Sequence, residues 1–188
     1  MNALLPILSF FLFSLNVFAE LSETQAQIEK RYGREGTEES TVKADAPADT
    51  LITYRFGGSR SVRFAKVWMR NDKSCMEVHV DLLDGLSAYQ IDSLRRHNSE
   101  DSSWVTVPSE KGQIWKRKDG NVVAWVVEFP NLITKKLQPQ LFGVGRLDVV
   151  KAQLQAGTFK PSKSEQPWLW DKLSELCEAT DHRAPDKK

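Results

Sequence analysis

IWKRKDGNVVAWVVEF, residues 114–129, carries the strongest conformational instruction in this chain. Two β-prone runs flank Asp119-Gly120, a dipeptide that supplies the positive φ angles of a two-residue type I′ turn. The reading is a β-hairpin closed by Pro130. Upstream, LITYRF (51–56), SVRFAKVWMR (61–70) and SCMEVHVDLL (74–83) repeat the strand pattern, interrupted at Gly57-Gly58 and Asn71-Asp72. These make a meander. In the third run Met76, Val78, Val80 and Leu82 alternate with Cys75, Glu77, His79 and Asp81, so one face is apolar and the other polar.

Helical signals flank the strands. SETQAQIEKRY (22–32) has Ser22 and Gln25 at capping-box spacing, Gly33 to end it, and a narrow stripe of Leu21, Gln25, Ile28 and Tyr32. LSAYQIDSLRRHN (86–98) has Ser87 as its cap and Leu86, Ile91 and Leu94 on one side. Residues 104–107 read as a short strand, the segment around Gly143 as a loop, and 147–154 as a third short helix. A last helix over 167–179 sets Trp168, Leu169, Leu173, Leu176 and Cys177 near one side. The predicted class is α+β: an antiparallel β-meander sheet with helices packed on one face. Helix followed by meander occurs twice, at 22–83 and 87–129, without a convincing residue repeat.

Composition bounds the rest. With 188 residues, 40% hydrophobic, 27% charged and a formal net charge of +1, the chain is an ordinary globular protein. Near neutrality gives no general pull on a phosphate backbone, which argues against nucleic acid as a partner. Residues 1–19, MNALLPILSFFLFSLNVFA, are apolar and end Val17-Phe18-Ala19, with small residues where a signal peptidase reads. No Lys or Arg precedes the run, and an uncleaved anchor is the alternative. Pro6 and Asn16 leave the run short of the ~20 apolar residues that span a bilayer, so a cleaved signal peptide is expected, with Glu20 first. The expected organisation is then a short helix and acidic mobile linker over 20–50, a single domain over 51–180 and a polar tail over 181–188. The expected compartment is secreted or periplasmic, with no stable transmembrane segment after cleavage. There Cys75 and Cys177 form a candidate disulfide. Closing a loop of about 100 residues is worth on the order of 4 to 5 kcal/mol in the chain-entropy treatment.

Three fragments, EKRYGREG, DSLRRHNSEDSSW and IWKRKDGNVVAWV, resemble a group of small exported bacterial proteins that are themselves uncharacterised. More distantly, the helix-then-meander order is similar to the α/β repeat of β-lactamase-inhibitor-protein-like and outer-membrane-assembly lipoprotein domains. The likeness covers roughly residues 22–129. It implies a fold and a binding role, and it transfers no catalytic residue. The acidic stretch after Gly33 departs from that pattern, and no lipid-bearing cysteine is present.

One constellation has ligand chemistry. Cys75, Glu77, His79 and Asp81 share a strand face at two-residue spacing, a donor set suited to zinc, with His97 or Asp84 available from elsewhere. Against this, neighbouring side chains on one strand diverge, and a metal competes with the disulfide for Cys75. The favoured reading is a solvated strand face. A hydrolase triad needs a nucleophile beside a base, and His79, His97 and His182 stand in no recognised nucleophile context. Glu38-Glu39 and Glu100-Asp101 fall in loop-like stretches. Of the six tryptophans, Trp115 is expected to face Ala124 or Trp125 across the hairpin. Trp168 and Trp170, two apart on a helix, cannot both face inward. Lys116, Arg117, Lys118 and Trp170 are therefore the candidate partner surface, against the simpler role of a charged hairpin tip that protects an edge. The function expected is a non-catalytic binding or envelope-associated domain, without cofactor, whose partner is a protein or envelope component. The alternative is a small secreted enzyme or metal-binding protein using the 75–81 strand face.

Overall fold

The computed structural model describes residues 21–39, 48–57, 62–99, 102–108, 113–131, 133–157 and 167–181. The predicted signal peptide, Glu100-Asp101 and His182 lie outside them. Among the described residues four helices accompany one antiparallel sheet of eight strands. The first unit is α1 (Gln25–Tyr32), β1 (Thr37–Glu39), β2 (Thr50–Arg55), β3 (Arg63–Arg70) and β4 (Lys73–Asp81). The second is α2 (Ala88–His97), β5 (Trp104–Thr106), β6 (Ile114–Arg117), β7 (Val122–Pro130) and β8 (Leu137–Arg146), followed by α3 (Leu147–Gln155) and α4 (Pro167–Asp181).

The strand order β1-β2-β3-β4-β8-β7-β6-β5 makes each unit a helix followed by a four-stranded meander, and the meanders join through their last strands. Because β4 and β8 pair antiparallel, from Met76 opposite Gly145 to Val80 opposite Leu141, the units are related by a half-turn about the sheet normal. The α+β class and the twofold helix-plus-meander order thus hold. Both sheet edges, β1 and β5, are only three residues long, which limits their use as templates for another chain.

Helices cover both faces, where one covered face was expected. Met76, Val78, Val80, Val123, Trp125 and Val127 form a core with Val149 and Val150 of α3 and Leu169, Leu173 and Cys177 of α4. On the opposite face Ile28 and Tyr32 of α1 meet Ile52, Tyr54, Ala65 and Val67. Leu94 of α2 joins Val122, Ala124, Val126, Phe142 and Val144 there. The polar alternation of β4 misleads because α1 supplies Glu77 with charged and polar partners and lays the Tyr32 ring against His79, so both are buried away from water.

Local signals hold with shifts. The α1 capping box is Thr24–Gln27, two residues beyond the expected Ser22–Gln25. Ser22 instead takes φ +75° in a turn whose N–H donates to the Ser74 carbonyl at 2.8 Å. Gly33 ends α1 in the left-handed conformation and Ser87 caps α2, both as predicted. The 114–129 hairpin forms, but only Gly120 of its turn has positive φ, and its N–H donates to the Arg117 carbonyl at 2.9 Å. The two-residue turn with both φ positive is Asn71-Asp72, between β3 and β4. The supposed linker contains β1, which pairs with β2.

The largest miss is β8, read as a loop around Gly143. Its Pro139 pairs with Glu128 beside a register shift, the kind of irregularity at which a strand accommodates proline. Its Gly143 and Gly145 leave room for the Trp125 ring and for Met76 and Val150. A Cβ on Gly143 would stand 2.2 Å from Trp125 Cζ2. Trp125 is fully buried, so glycine is what lets β8 run beneath it.

Candidate functional site

The strand face singled out by sequence becomes a sealed ionic network. Glu77 is fully buried at the centre of β4, with α1 above it. Arg31 Nη2 donates to Glu77 Oε1 at 2.9 Å and stands 2.5 Å from Glu23 Oε2, while Tyr32 Oη donates to Glu77 Oε2 at 3.3 Å. His79 Nε2 lies 3.4 Å from the same Oε2, close enough for charge coupling but without hydrogen-bond geometry. The Arg31 guanidinium also sits 4.4 Å from the centre of the Tyr32 ring.

The ionisations follow from burial and charge. Burial holds the His79 imidazole below its ordinary pKa, and the opposing pull of Glu77 does not cancel it. Burial would lower the Arg31 pKa, but Glu77, Tyr32 and Glu23 reverse that and raise it. Burial, then Glu77, pushes the Tyr32 phenol well above its usual value. The result is a fixed cation, a neutral imidazole and an intact phenol held together.

The other members of the proposed ligand set point elsewhere. Cys75 is the extra residue of a β-bulge: Trp68 pairs with Met76 and Met69 with Ser74, so the alternation breaks and Cys75 joins the opposite core. Asp81 is held 2.7 Å from Arg63 Nε and accepts the N–H groups of Leu83 and Asp84. Asp84 pairs with the same Arg63, and His97 Nδ1 contacts the Ser93 carbonyl at 2.8 Å. Among the described residues no three His, Cys, Asp or Glu side chains are grouped to hold a metal ion.

The predicted bridge is also absent. Cys75 and Cys177 are both buried in one core and carry no bond to each other, with Cys75 Sγ 3.1 Å from the Trp68 carbonyl and Cys177 Sγ 3.6 Å from that of Leu147. Burial pushes the Cys75 thiol up to about 12.

Of the candidate partner surface, Lys118 is exposed and Lys116 half-buried, but Arg117 is buried. Its Nε and Nη2 reach Asp119 Oδ2 at 2.8 and 2.6 Å, and Nη1 donates to the Asn98 carbonyl. Trp170 is half-buried against the same core as Trp168, so neither indole stands out from α4. Of the two partners expected for Trp115 the structure gives Ala124, and Trp125 lies on the other face of the sheet.

An open cleft of about 480 Å³ lies where β7 begins and β8 ends. Among the described residues its lining includes Arg117, Arg146, Lys151 and the carboxylate of Asp148, over the edges of the buried Leu21, Val122, Leu147 and Cys177. Four segments distant in sequence meet there, so Arg146 and Lys151 had no local pattern to reveal them. Burial opposes ionisation of Asp148, but a 2.7 Å hydrogen bond from Arg70 Nη1, with the charges of Arg70 and Arg146, holds its carboxyl below the usual value. Asn98 closes the back of this end: it accepts from the Leu21 N–H through Oδ1 and donates to the Leu94 carbonyl. Comparison with family models, curated proteins and solved structures found no match.

Proposed function

We propose that the chain is an exported, non-catalytic binding domain, secreted or periplasmic, whose partner is a protein or component of the cell envelope. The open basic cleft supports this reading: its charged and apolar walls are assembled by secondary structure and already ordered, which is how a site that holds a ligand is built. The ligand-type residues Glu77 and His79, by contrast, are occupied with one another and with α1. For export, Leu21 stands two residues past the expected cut and is already in the core, so cleavage after Ala19 would leave the fold intact. The likeness of the three fragments to small exported bacterial proteins belongs to the same proposal.

The test is expression of the full tagged chain in its native host, fractionation, and mass determination of the recovered protein. Mature protein beginning at Glu20, outside the cytoplasm and recovered with one envelope component in fixed ratio, is the expected result. Cytosolic protein that still carries Met1 overturns the reading.

A further inference from the structure

We propose that the turn between β7 and β8 seats the chain on an anionic lipid surface, with Ile133, Leu137 and Leu83 entering the headgroup layer and Lys136 lying at its phosphates. This rests on the binding-domain reading above and makes the envelope component of that reading the membrane itself. The surface lies at the other end of β7 and β8 from the cleft.

Apolar exposure supplies the first argument. Among the described residues five large apolar side chains stand in solvent, and all but Val105 belong to this end of the sheet: Ile133 is 77% exposed, Tyr89 69%, Leu137 54% and Leu83 46%. The Leu83 carbonyl accepts from the side-chain amides of Asn131 and Gln138, and the Leu86 N–H donates to the Pro139 carbonyl at 2.7 Å. The loop leading into α2 therefore lies against the start of β8. Exposed apolar side chains scattered singly call for no explanation, but a group of them drawn from separate segments marks an interaction surface.

Order in the turn supplies the second. Asn131 is buried, its Oδ1 accepts the N–H groups of Ile133 and Thr134, both at 2.8 Å, and its carbonyl accepts the Lys135 N–H at 3.0 Å. Ile133 is thus held in solvent on an ordered turn, and its entry into a headgroup layer costs little further conformational entropy. Charge supplies the third. Lys135 and Lys136 stand between Ile133 and Leu137 and are exposed, and no Asp or Glu occurs between Glu128 and Asp148. Glu128 is half-buried on β7, and Asp81 and Asp84 of the neighbouring segment are engaged by Arg63. Aliphatic side chains set among ammonium groups match the layering of a lipid surface, apolar at the acyl boundary and anionic above it. A second copy of the chain is the poorer occupant, because a twofold dimer through this patch would bring its lysines together.

The experiment is co-sedimentation of the purified exported chain with vesicles of phosphatidylcholine alone and of equal parts phosphatidylcholine and phosphatidylglycerol. Binding to the mixed vesicles about tenfold tighter than to the neutral ones, and weakened by added salt, is expected. Ile133→Ser should weaken it about tenfold and Lys136→Gln about fivefold. Val105→Ser, which removes the exposed apolar residue of edge strand β5, should leave it unchanged. Because Cys75 and Cys177 are buried, Ile133→Cys can be labelled alone with a polarity-sensitive fluorophore, which should brighten and shift to the blue on the mixed vesicles. Circular dichroism and thermal melts matching those of the unaltered chain show that the variants fold. No binding, equal binding to both vesicles, binding indifferent to Ile133→Ser, or a silent fluorophore overturns the proposal, and so does self-association through Ile133 in place of lipid binding. If vesicles are not bound while the exported chain is still recovered with an envelope protein, only this surface is lost. If chain recovered from the cytosol binds vesicles through Ile133, only the export reading is lost.

Discussion

Gly143→Ala adds one methyl group where the sheet has no room for it. The new Cβ would lie 2.2 Å from Trp125 Cζ2 and 2.3 Å from Cε2, whereas carbon atoms settle at about 3.5 to 4.0 Å. The indole would have to retreat by more than about 1 Å, judged against that spacing. It has nowhere to go, because Trp125 is fully buried and β7 is paired on both sides, to β6 and β8. Overpacking of a tight core costs about 1 to 3 kcal/mol. Loss of glycine's freedom in the unfolded chain returns roughly 0.4 to 1 kcal/mol. A ring clash without slack belongs at the top of the first range, so the net loss should be about 2 kcal/mol. Urea denaturation followed by tryptophan fluorescence reads it directly, and a thermal melt should fall by about 4 to 8 °C for a domain of this size. The cause is isolated by a double-mutant cycle with Trp125→Leu, which removes the obstructing ring. If the clash is responsible, the pair should cost at least about 1 kcal/mol less than the sum of the single changes. A Gly143→Ala protein within about 0.5 kcal/mol of the original, or strict additivity, would refute the reasoning.

The other predictions concern the buried polar groups. Glu77→Gln keeps the shape but leaves the Arg31 cation, whose side chain is 9% exposed, with Glu23 as its remaining carboxylate, and should destabilise by about 3 kcal/mol in the same urea assay. A loss below about 0.5 kcal/mol would mean that the network is not energetically coupled. Because burial depresses the His79 pKa, the unfolded chain takes up a proton that the folded chain refuses. Stability should therefore be full above pH ~6.5 and fall below it by up to about 1.4 kcal/mol per pH unit. His79→Gln should flatten that slope, and an unchanged slope would assign it elsewhere. The depressed carboxyls of Asp92, Asp119 and Asp148 add a further loss only as pH falls below about 4. Both thiols should resist a disulfide reagent in the native protein and titrate as two per chain after unfolding without reductant, since both are buried and unbridged. Fewer than two would contradict that geometry.

What could be read from residues alone were the features whose cause is local. Ser87 caps α2 and Gly33 stops α1 because the satisfying hydrogen bonds lie within one helical turn. The alternation of Met76, Val78 and Val80, and the β-prone arms around Asp119-Gly120, announced strands through the same short-range logic. Those signals sufficed for the α+β class and for two successive helix-meander units. Tertiary contacts settled the remainder. Gly143, Gly145 and Pro139 argue against a strand until Trp125 and Met76 occupy the space above β8 and a register shift accommodates the proline. Glu77 and His79 read as solvated until α1 brings Arg31 and Tyr32 over them, and Cys75 shares their face until a bulge turns it away. Arg117 read as a surface residue until Asp119 and Asn98 drew its guanidinium inward, and it meets Arg146 and Lys151 only because β6, β8 and α3 end at one corner of the sheet. None of these outcomes is set by the residue and its helix or strand pattern alone; Arg31 reaches Glu77 across 46 positions and Met76 meets Gly145 across 69, and it is the folded arrangement that decides which side chain receives a partner in place of water.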